Sequence, residues 1–300
     1  MYDIIIIGAG TAGLTAAIYA RRAGKDVLIY EGETYGGQIM TTPEIENYPG
    51  FKKISGYEFA TNLYEQAIAL GAKFEYDQVT SISGSLETGF TVTSEFAENQ
   101  AKAIILATGA KNRHLDLPNE EKLTGRGISY CATCDGAFFK GKTVAVNGGG
   151  NTAFEDALYL SNLCEKVYLI HRREGFRAEQ ALIDKAKATA NIEFLTNRTI
   201  SSINGVSELE SVTLASTIGE STAELIIDGL FVAIGQTPSS SFLNGFVELD
   251  ASGYIVAGED CKTSVPGVFA AGDGRTKALR QLTTAASDGA ISSVNACACL

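Results

Sequence analysis

The sequence predicts an α/β chain made of two Rossmann-like, three-layer domains. Two observations carry that prediction. A G-x-G-x-x-G cradle directly follows a strand-like run near the start, and a second cradle of the same design begins 140 residues further on, Gly8 against Gly148. The composition agrees: 300 residues suffice for about two domains, and 32 Gly against 5 Pro, with 45% hydrophobic and 20% charged residues, suit tight strand-to-helix turns.

The same inventory excludes several classes. Asp plus Glu outnumber Lys plus Arg by 35 to 24, and the net charge of −11 opposes attraction to phosphate backbones or anionic lipid, so no nucleic-acid or membrane role is expected. The aliphatic run Ile4 to Ile7 is far shorter than the roughly 18 apolar residues that span a bilayer. The opening residues also lack the basic front and longer apolar stretch of a secretory leader. A soluble, cytoplasmic protein is expected. Six cysteines are too few for a disulfide framework, so any disulfide here is expected to be chemical, not structural.

Tyr2 to Ile7 reads as a strand buried on both faces, followed at once by Gly8, Gly10 and Gly13 of the first cradle. A helix follows through Leu14, Ala17 and Ile18, Gly24 stops it, and Asp26 to Tyr30 forms a second strand ending at Glu31. The first glycine turns the chain, the second admits backbone N–H groups to a pyrophosphate, and the third lets helix and strand approach. Glu31 would accept a hydrogen bond from an adenosine ribose hydroxyl and repel a 2′-phosphate. This cradle therefore reads as a site for FAD or NAD, not NADP.

The second unit repeats the order. Lys142 to Val146 is strand-like, Gly148, Gly149, Gly150, Asn151, Thr152 and Ala153 supply G-x-G-x-x-A, a helix runs from about Thr152 to Leu163, and Lys166 to Ile170 forms the next strand. At the position matching Glu31 stand His171, Arg172 and Arg173, with Arg177 close behind. Guanidinium forks match phosphate oxygens bidentately, so the reversed charge reads as a seat for the 2′-phosphate of NADPH. The alternative is a solvated basic turn.

One cradle for FAD and one for NADPH resembles a flavoprotein with two dinucleotide domains. Ala103 to Ala107, ending in Thr108-Gly109, and Leu230 to Ile234, ending in Gly235, look like paired crossing points between them. Gly267 to Asp273 places an acid directly after a buried strand and Gly272, where such flavoproteins hold the FAD ribityl chain. A helix from about Ala278 to Ala296, starting near Arg280-Gln281-Leu282, presents its N-terminus for negative charge on a reduced flavin. The FAD domain is thus expected to be discontinuous, residues 1–112 and 244–300, with the NADPH domain, 113–243, inserted.

Cys131-Ala132-Thr133-Cys134-Asp135 lies just before the second cradle. C-x-x-C is compatible with zinc, with inert packing, or with a redox dithiol. Zinc would need two further ligands: the chain has only His114 and His171, and Cys297-Ala298-Cys299 sits at a terminus that is expected to fray, so no metal site is expected. In a redox dithiol the C-x-x-C turn lowers one thiol pKa and permits disulfide closure.

Taken in order, the first cradle, C-A-T-C-D, the second cradle and H-R-R-x-x-x-R resemble the bacterial-type low-molecular-weight thioredoxin reductases over nearly the whole chain. The resemblance extends to Tyr35-Gly36-Gly37-Gln38-Ile39, which in the family wraps the flavin, and to Ile45-Glu46-Asn47-Tyr48-Pro49-Gly50, whose Asn47 matches a family flavin contact. It implies that electrons pass from NADPH through FAD to the Cys131/Cys134 pair and on to the disulfide of thioredoxin or a thioredoxin-like protein. It also implies that Cys134 faces the flavin, that Cys131 attacks the substrate, that Asp135 protonates the leaving thiolate, and that the chain forms a homodimer. In the family the NADPH domain swings about two linkers, here about Lys111 to Leu117 and Gly235 to Phe242. Asn151-Thr152 and Gly274 depart from the usual family residues.

Rival readings are a flavin-dependent dithiol oxidase, a reductase fed by a donor other than NADPH, and a redox sensor without turnover. A further one is a relay through Cys297 and Cys299 on a free tail.

Overall fold

The computed structural model describes residues 1–300, the side chain of Thr41 excepted. It divides into two units: Met1–Lys111 with Thr237–Leu300, and Asn112–Gln236.

The first unit begins β1 (Tyr2–Ile7), α1 (Thr11–Arg22), β2 (Val27–Glu31), α2 (Gly56–Ala69) and β3 (Lys73–Tyr76). It continues with β4 (Val79–Ser85), β5 (Gly89–Ser94) and β6 (Glu98–Leu106). The run of four isoleucines in β1 is apolar throughout because both faces of the sheet are covered. Ile4 and Ile6 pack with α1 residues Leu14 and Ala17, whereas Ile5 and Ile7 pack with Phe90 and Val92 of β5. Parallel pairing joins β3 to β2, β2 to β1 and β1 to β6, while β4 and β5 add antiparallel strands beyond.

The chain leaves the first unit through β7 (Ala110–Asn112). The second unit holds α3 (Glu120–Leu123), β8 (Ile128–Ser129), α4 (Ala132–Asp135), β9 (Thr143–Gly148), α5 (Asn151–Ser161) and β10 (Lys166–His171). There follow α6 (Gln180–Lys187), β11 (Ile192–Thr196), β12 (Arg198–Asn204), β13 (Ser211–Ser216), β14 (Thr222–Ile226) and β15 (Gly229–Ala233). Its parallel sheet runs β11-β10-β9-β15-β8, and β12-β13-β14 form a separate antiparallel sheet. Again the alternating sides are both buried: Val144 and Val146 meet α5, while Ala145 joins Ile203, Val212 and Leu214 of the antiparallel sheet.

The chain returns through β16 (Gln236–Pro238), and β17 (Val268–Ala270) and α7 (Leu282–Ala298) complete the first unit. The return falls at Gln236–Thr237, before the 243 boundary read from sequence, because the Ser239 N–H already donates to Gly109 O of the first unit, 3.1 Å. The last helix also starts later than Ala278. Gln281 and Thr284 form a reciprocal capping box, and Arg280 turns back to the carbonyls of Asp273 and Arg275, both 3.3 Å, so the preceding residues are loop. α7 lies close on α1: a Cβ on Gly289 would stand 2.3 Å from Ala12 O. The tail is not free, because the helix reaches Ala298 and Cys297 packs half-buried against the α1 side of the core. Among the described residues no helix is long and apolar enough to cross a membrane.

Candidate functional site

In the first cradle Gly8 has φ +102°, and a Cβ there would sit 2.3 Å from Ala107 O; one on Gly13 would sit 1.9 Å from Gly8 O. These two glycines are fixed by the protein itself. Gly10 is different, since the nearest atom to its virtual Cβ is 3.9 Å away, so the fold alone does not demand glycine there. Gly10 is the N-cap of α1 and no side chain caps the helix, which leaves its first N–H groups available to an anion. Glu31 closes the cradle: Oε2 accepts from Ala9 N at 2.8 Å and Oε1 from Glu33 N at 2.9 Å. Each oxygen keeps a further lone pair for a ribose hydroxyl.

Other sequence-predicted residues of this unit gather around the same strand ends. Gly36 donates its N–H to Ala9 O at 2.7 Å, Gly37 begins a short 3-10 turn, and the Gln38 amide donates to Ala110 O. Asn47 Nδ2 donates to Gln281 Oε1 at 3.1 Å, tying the 45–50 segment to the start of α7, while Leu282 packs on Ile45, Ile54 and Phe59. Thr108 Oγ1 and Asp273 Oδ1 are buried side-chain oxygens without a hydrogen-bond partner. Burial raises Asp273, against the pull of Lys277 and Arg280. Two orphaned oxygens beside Gly109 and Gly272 fit a hydroxyl-rich ligand chain, because leaving them unpaired is costly. Gly274 is also accounted for: a Cβ there would lie 3.1 Å from both Gly109 O and Thr108 Oγ1. Arg280 serves the loop, its guanidinium stacking 4.3 Å above the Tyr254 ring.

In the second cradle a Cβ on Gly148 would meet Ala233 O at 2.4 Å, and one on Gly149 would strike the His171 ring at 2.3 Å, while Gly150 has open space. His171 thus lies flat against the cradle. Arg177 N donates to Gly149 O at 2.8 Å, so the turn after β10 folds back over the glycines and brings Gly149, His171 and Arg177 together. Arg172, Arg173 and Arg177 are exposed. Burial lowers the pKa of His171, and the three arginines lower it further. Gly150 caps α5 with no side-chain partner. Asn151 is engaged by Glu179: its Nδ2 donates to Oε1 at 3.1 Å and its Oδ1 accepts from Glu179 N at 2.9 Å. Thr152 is exposed on the first turn of α5. Ile234 packs half-buried beside the antiparallel sheet, and Gly235, φ +104°, accepts from Arg113 N at 3.0 Å.

Cys131 and Cys134 are joined by a disulfide across the turn that begins α4. The turn is closed by Cys131 O, which accepts from Cys134 N at 3.3 Å and Asp135 N at 3.1 Å. Asp135 is pushed above the usual carboxylate range by burial, opposed by a 2.6 Å hydrogen bond from Ser129 Oγ. Among the described residues no group of three or more His, Cys, Asp and Glu side chains could hold a metal ion.

Three sets of residues around these sites were not anticipated from sequence. Ser129 holds Asp135, as above. Tyr130, just before Cys131, donates to Glu120 Oε1 at 2.8 Å and lies 2.8 Å from His114 Nδ1, while buried Glu120 also accepts from Leu115 N and Leu117 N at 2.8 and 3.4 Å. Burial and Glu120 both raise the Tyr130 phenol. In the first unit Asp288, on α7, takes Arg275 bidentately at 2.9 Å to each oxygen, Lys277 at 2.7 Å and the Gly272 N–H at 2.9 Å. Burial would raise Asp288, but these donors hold it below the usual range. Its signal was visible: an acid on the α7 face shared with Ala285, Gly289 and Ser292 requires a buried cation.

Two dinucleotide cradles on parallel sheets and a closed C-x-x-C disulfide define an oxidoreductase that exchanges electrons with disulfides. Residues 2–289 match the family model "Pyridine nucleotide-disulphide oxidoreductase". The chain is 44% identical over 291 residues to a thioredoxin reductase of Treponema pallidum, covering 97% of this chain and 94% of that protein. It is 43% identical over 298 residues to a bifunctional thioredoxin reductase/thioredoxin of Mycobacterium leprae, spanning 99% of this chain and 65% of that longer protein. The crystal structure of thioredoxin reductase from Streptococcus pyogenes superposes with a TM-score of 0.94 at 40% identity, covering 99% of this chain and 97% of that one. The chain belongs to the pyridine nucleotide-disulphide oxidoreductases and, within them, to the thioredoxin reductases.

Proposed function

We propose that this chain reduces the disulfide of thioredoxin or a thioredoxin-like protein at the expense of NADPH, with FAD held in the first unit. The observation that carries the reading is the Cys131–Cys134 disulfide, directly followed by a carboxyl group with a raised pKa. Gly8, Gly10, Gly13 and Glu31 would hold the adenosine and pyrophosphate part of FAD, with Thr108 and Asp273 on its hydroxyl chain and Gly36, Gly37, Gln38, Asn47 and Gln281 around the flavin. Gly148 to Thr152 would receive the pyrophosphate of NADPH, and Arg172, Arg173 and Arg177 its 2′-phosphate. When bound, such a flavin takes a hydride from reduced nicotinamide and passes two electrons to a disulfide.

The protein's own chemistry is thiol–disulfide exchange. With the pair reduced, the Cys131 thiolate attacks one sulfur of the substrate disulfide, forming a mixed disulfide and expelling the other sulfur as a thiolate. That sulfur takes its proton from Asp135, whose raised pKa keeps a proton available. The Cys134 thiolate then attacks Cys131 Sγ, restoring the internal disulfide and releasing the second substrate sulfur as a thiolate, which takes its proton from water, with two electrons transferred in all. The homodimer of the family is the assembly this reading carries to the chain.

Anaerobic titration of the purified flavoprotein with NADPH tests the reading. Bleaching of the flavin absorbance within turnover time, followed by the appearance of two thiols at Cys131 and Cys134, is the expected result. A flavin that ignores NADPH yet is reduced by ferredoxin or a small dithiol would instead favour the other donor or the dithiol oxidase.

A further inference from the structure

Ser129 stands at the end of β8, buried, with its strand paired to Phe231 of β15. Its hydroxyl faces three groups of the redox turn. Oγ lies 2.6 Å from Asp135 Oδ2, accepts from Cys131 N at 3.0 Å, and lies 3.3 Å from Cys131 O. A hydroxyl has one proton to give. The shorter contact and the better acceptor are both the carboxylate, so the proton goes to Oδ2 while the Cys131 N–H occupies an oxygen lone pair.

We infer that Ser129 is the positioning residue for Asp135, reserving Oδ2 as an acceptor so that Oδ1 is the oxygen that carries the transferable proton, and tying that acid to the backbone of Cys131. The inference rests on the reading of Asp135 as the acid. In the exchange, the proton leaves Oδ1 for the expelled substrate sulfur, and the carboxylate that remains keeps the Ser129 hydrogen bond, so the charge formed on the acid meets a donor already in place.

The surroundings leave this bond unusually influential. Burial raises Asp135, and the Ser129 hydrogen bond opposes it. α5, packed against α4, carries Glu155, Asp156 and Tyr159, and the 136–139 turn carries no titratable residue. Once the disulfide opens, the thiols of Cys131 and Cys134 are the titrating groups of the same turn.

The test compares Ser129→Ala, Ser129→Thr and Asp135→Asn in the NADPH-reduced holoenzyme. It follows the rate of reduction of oxidised thioredoxin, and of a small aromatic disulfide, against pH. Loss of the hydroxyl removes an interaction favouring ionised Asp135, so in Ser129→Ala the alkaline fall of the profile moves to higher pH. Turnover at neutral pH is expected to drop about tenfold, the scale of one charge-assisted hydrogen bond. Ser129→Thr keeps the hydroxyl and restores both. Ser129→Gly, which removes the hydroxyl without adding volume, must behave as the alanine variant. A Ser129→Ala profile superimposable on that of the parent, or a folded Ser129→Thr that fails to restore it, overturns the inference. If Asp135→Asn removes the alkaline fall while Ser129→Ala leaves it in place, the positioning role fails and the acid stands; if Asp135→Asn changes nothing, both fail.

Discussion

In the first cradle the acid at the strand end is part of the fold: Glu31 grips Ala9 N and Glu33 N, and Gly36 closes on Ala9 O. In the second, the matching strand end lays the His171 ring on Gly149 and leaves Arg172, Arg173 and Arg177 in solvent. One site is assembled before any ligand arrives. The other keeps its charge on exposed side chains. A cradle of the first kind suits a group kept through many turnovers, and one of the second kind suits a molecule that comes and goes.

The third glycine position sharpens the contrast. Gly13 cannot carry a Cβ, which would stand 1.9 Å from Gly8 O, whereas Ala153 carries one at the equivalent place and is fully buried. Helix and strand are therefore closer in the first unit. Gly13→Ala is expected to produce the largest effect, destabilising the first unit by at least about 3 kcal/mol, because backbone must move to admit the methyl group. The mirror change, Ala153→Gly, should cost only about 1–2 kcal/mol for lost helix propensity and one buried methyl. Urea unfolding of the two variants measures both. Equal losses would break the comparison.

The charge reversal predicts a smaller effect on binding. Arg172→Ala or Arg177→Ala should each weaken NADPH binding by about 10- to 100-fold, the worth of a charge-assisted phosphate contact, and leave NADH binding nearly unchanged. Flavin content should not move. Parallel titrations with the two nucleotides read this directly, and equal weakening of both would mean that the arginines act through the cradle's shape.

How much of this was legible in the sequence follows the distance over which each interaction acts. The cradles, Glu31, the arginine turn and the C-x-x-C are local patterns, and strand-turn-helix context made them specific. The Ser129–Asp135 bond and the Tyr130–Glu120–His114 cluster are meetings of side chains from different elements, with no spacing rule to reveal them; for Asp288 the helix face betrayed a buried acid but not that Arg275 and Lys277 would meet it. Gly274 illustrates the limit: its departure from the family residue had no visible meaning until the Gly109 carbonyl and the Thr108 hydroxyl were found 3.1 Å from where its Cβ would stand. The Ala278 bound fell early for a related reason, since Lys277 and Arg280 are drawn into contacts with Asp288 and with loop carbonyls, while the start near Arg280-Gln281-Leu282 agrees with the helix at Leu282.

The helices after the cradles offer the finest comparison. Ala16, eight residues after Gly8, is fully buried on α1; Asp156, eight after Gly148, takes the same place on α5. Burial, with Glu155 beside it, pushes the Asp156 carboxyl up to about 7. A carboxyl raised in the folded state binds its proton more tightly there than in the unfolded chain. Its neutral form therefore favours folding at low pH, and that contribution is lost as pH climbs from the ordinary carboxylate range through about 7. Asp156→Asn removes the ionisation, so the variant should exceed the parent in stability by about 1–2 kcal/mol at pH 8, with water around the half-buried group limiting the gain. At pH 5, where the parent carboxyl is protonated, the two should converge. Urea midpoints at the two pH values decide it: a pH-independent difference would mean that packing, and not charge, separates Asp156 from its counterpart Ala16.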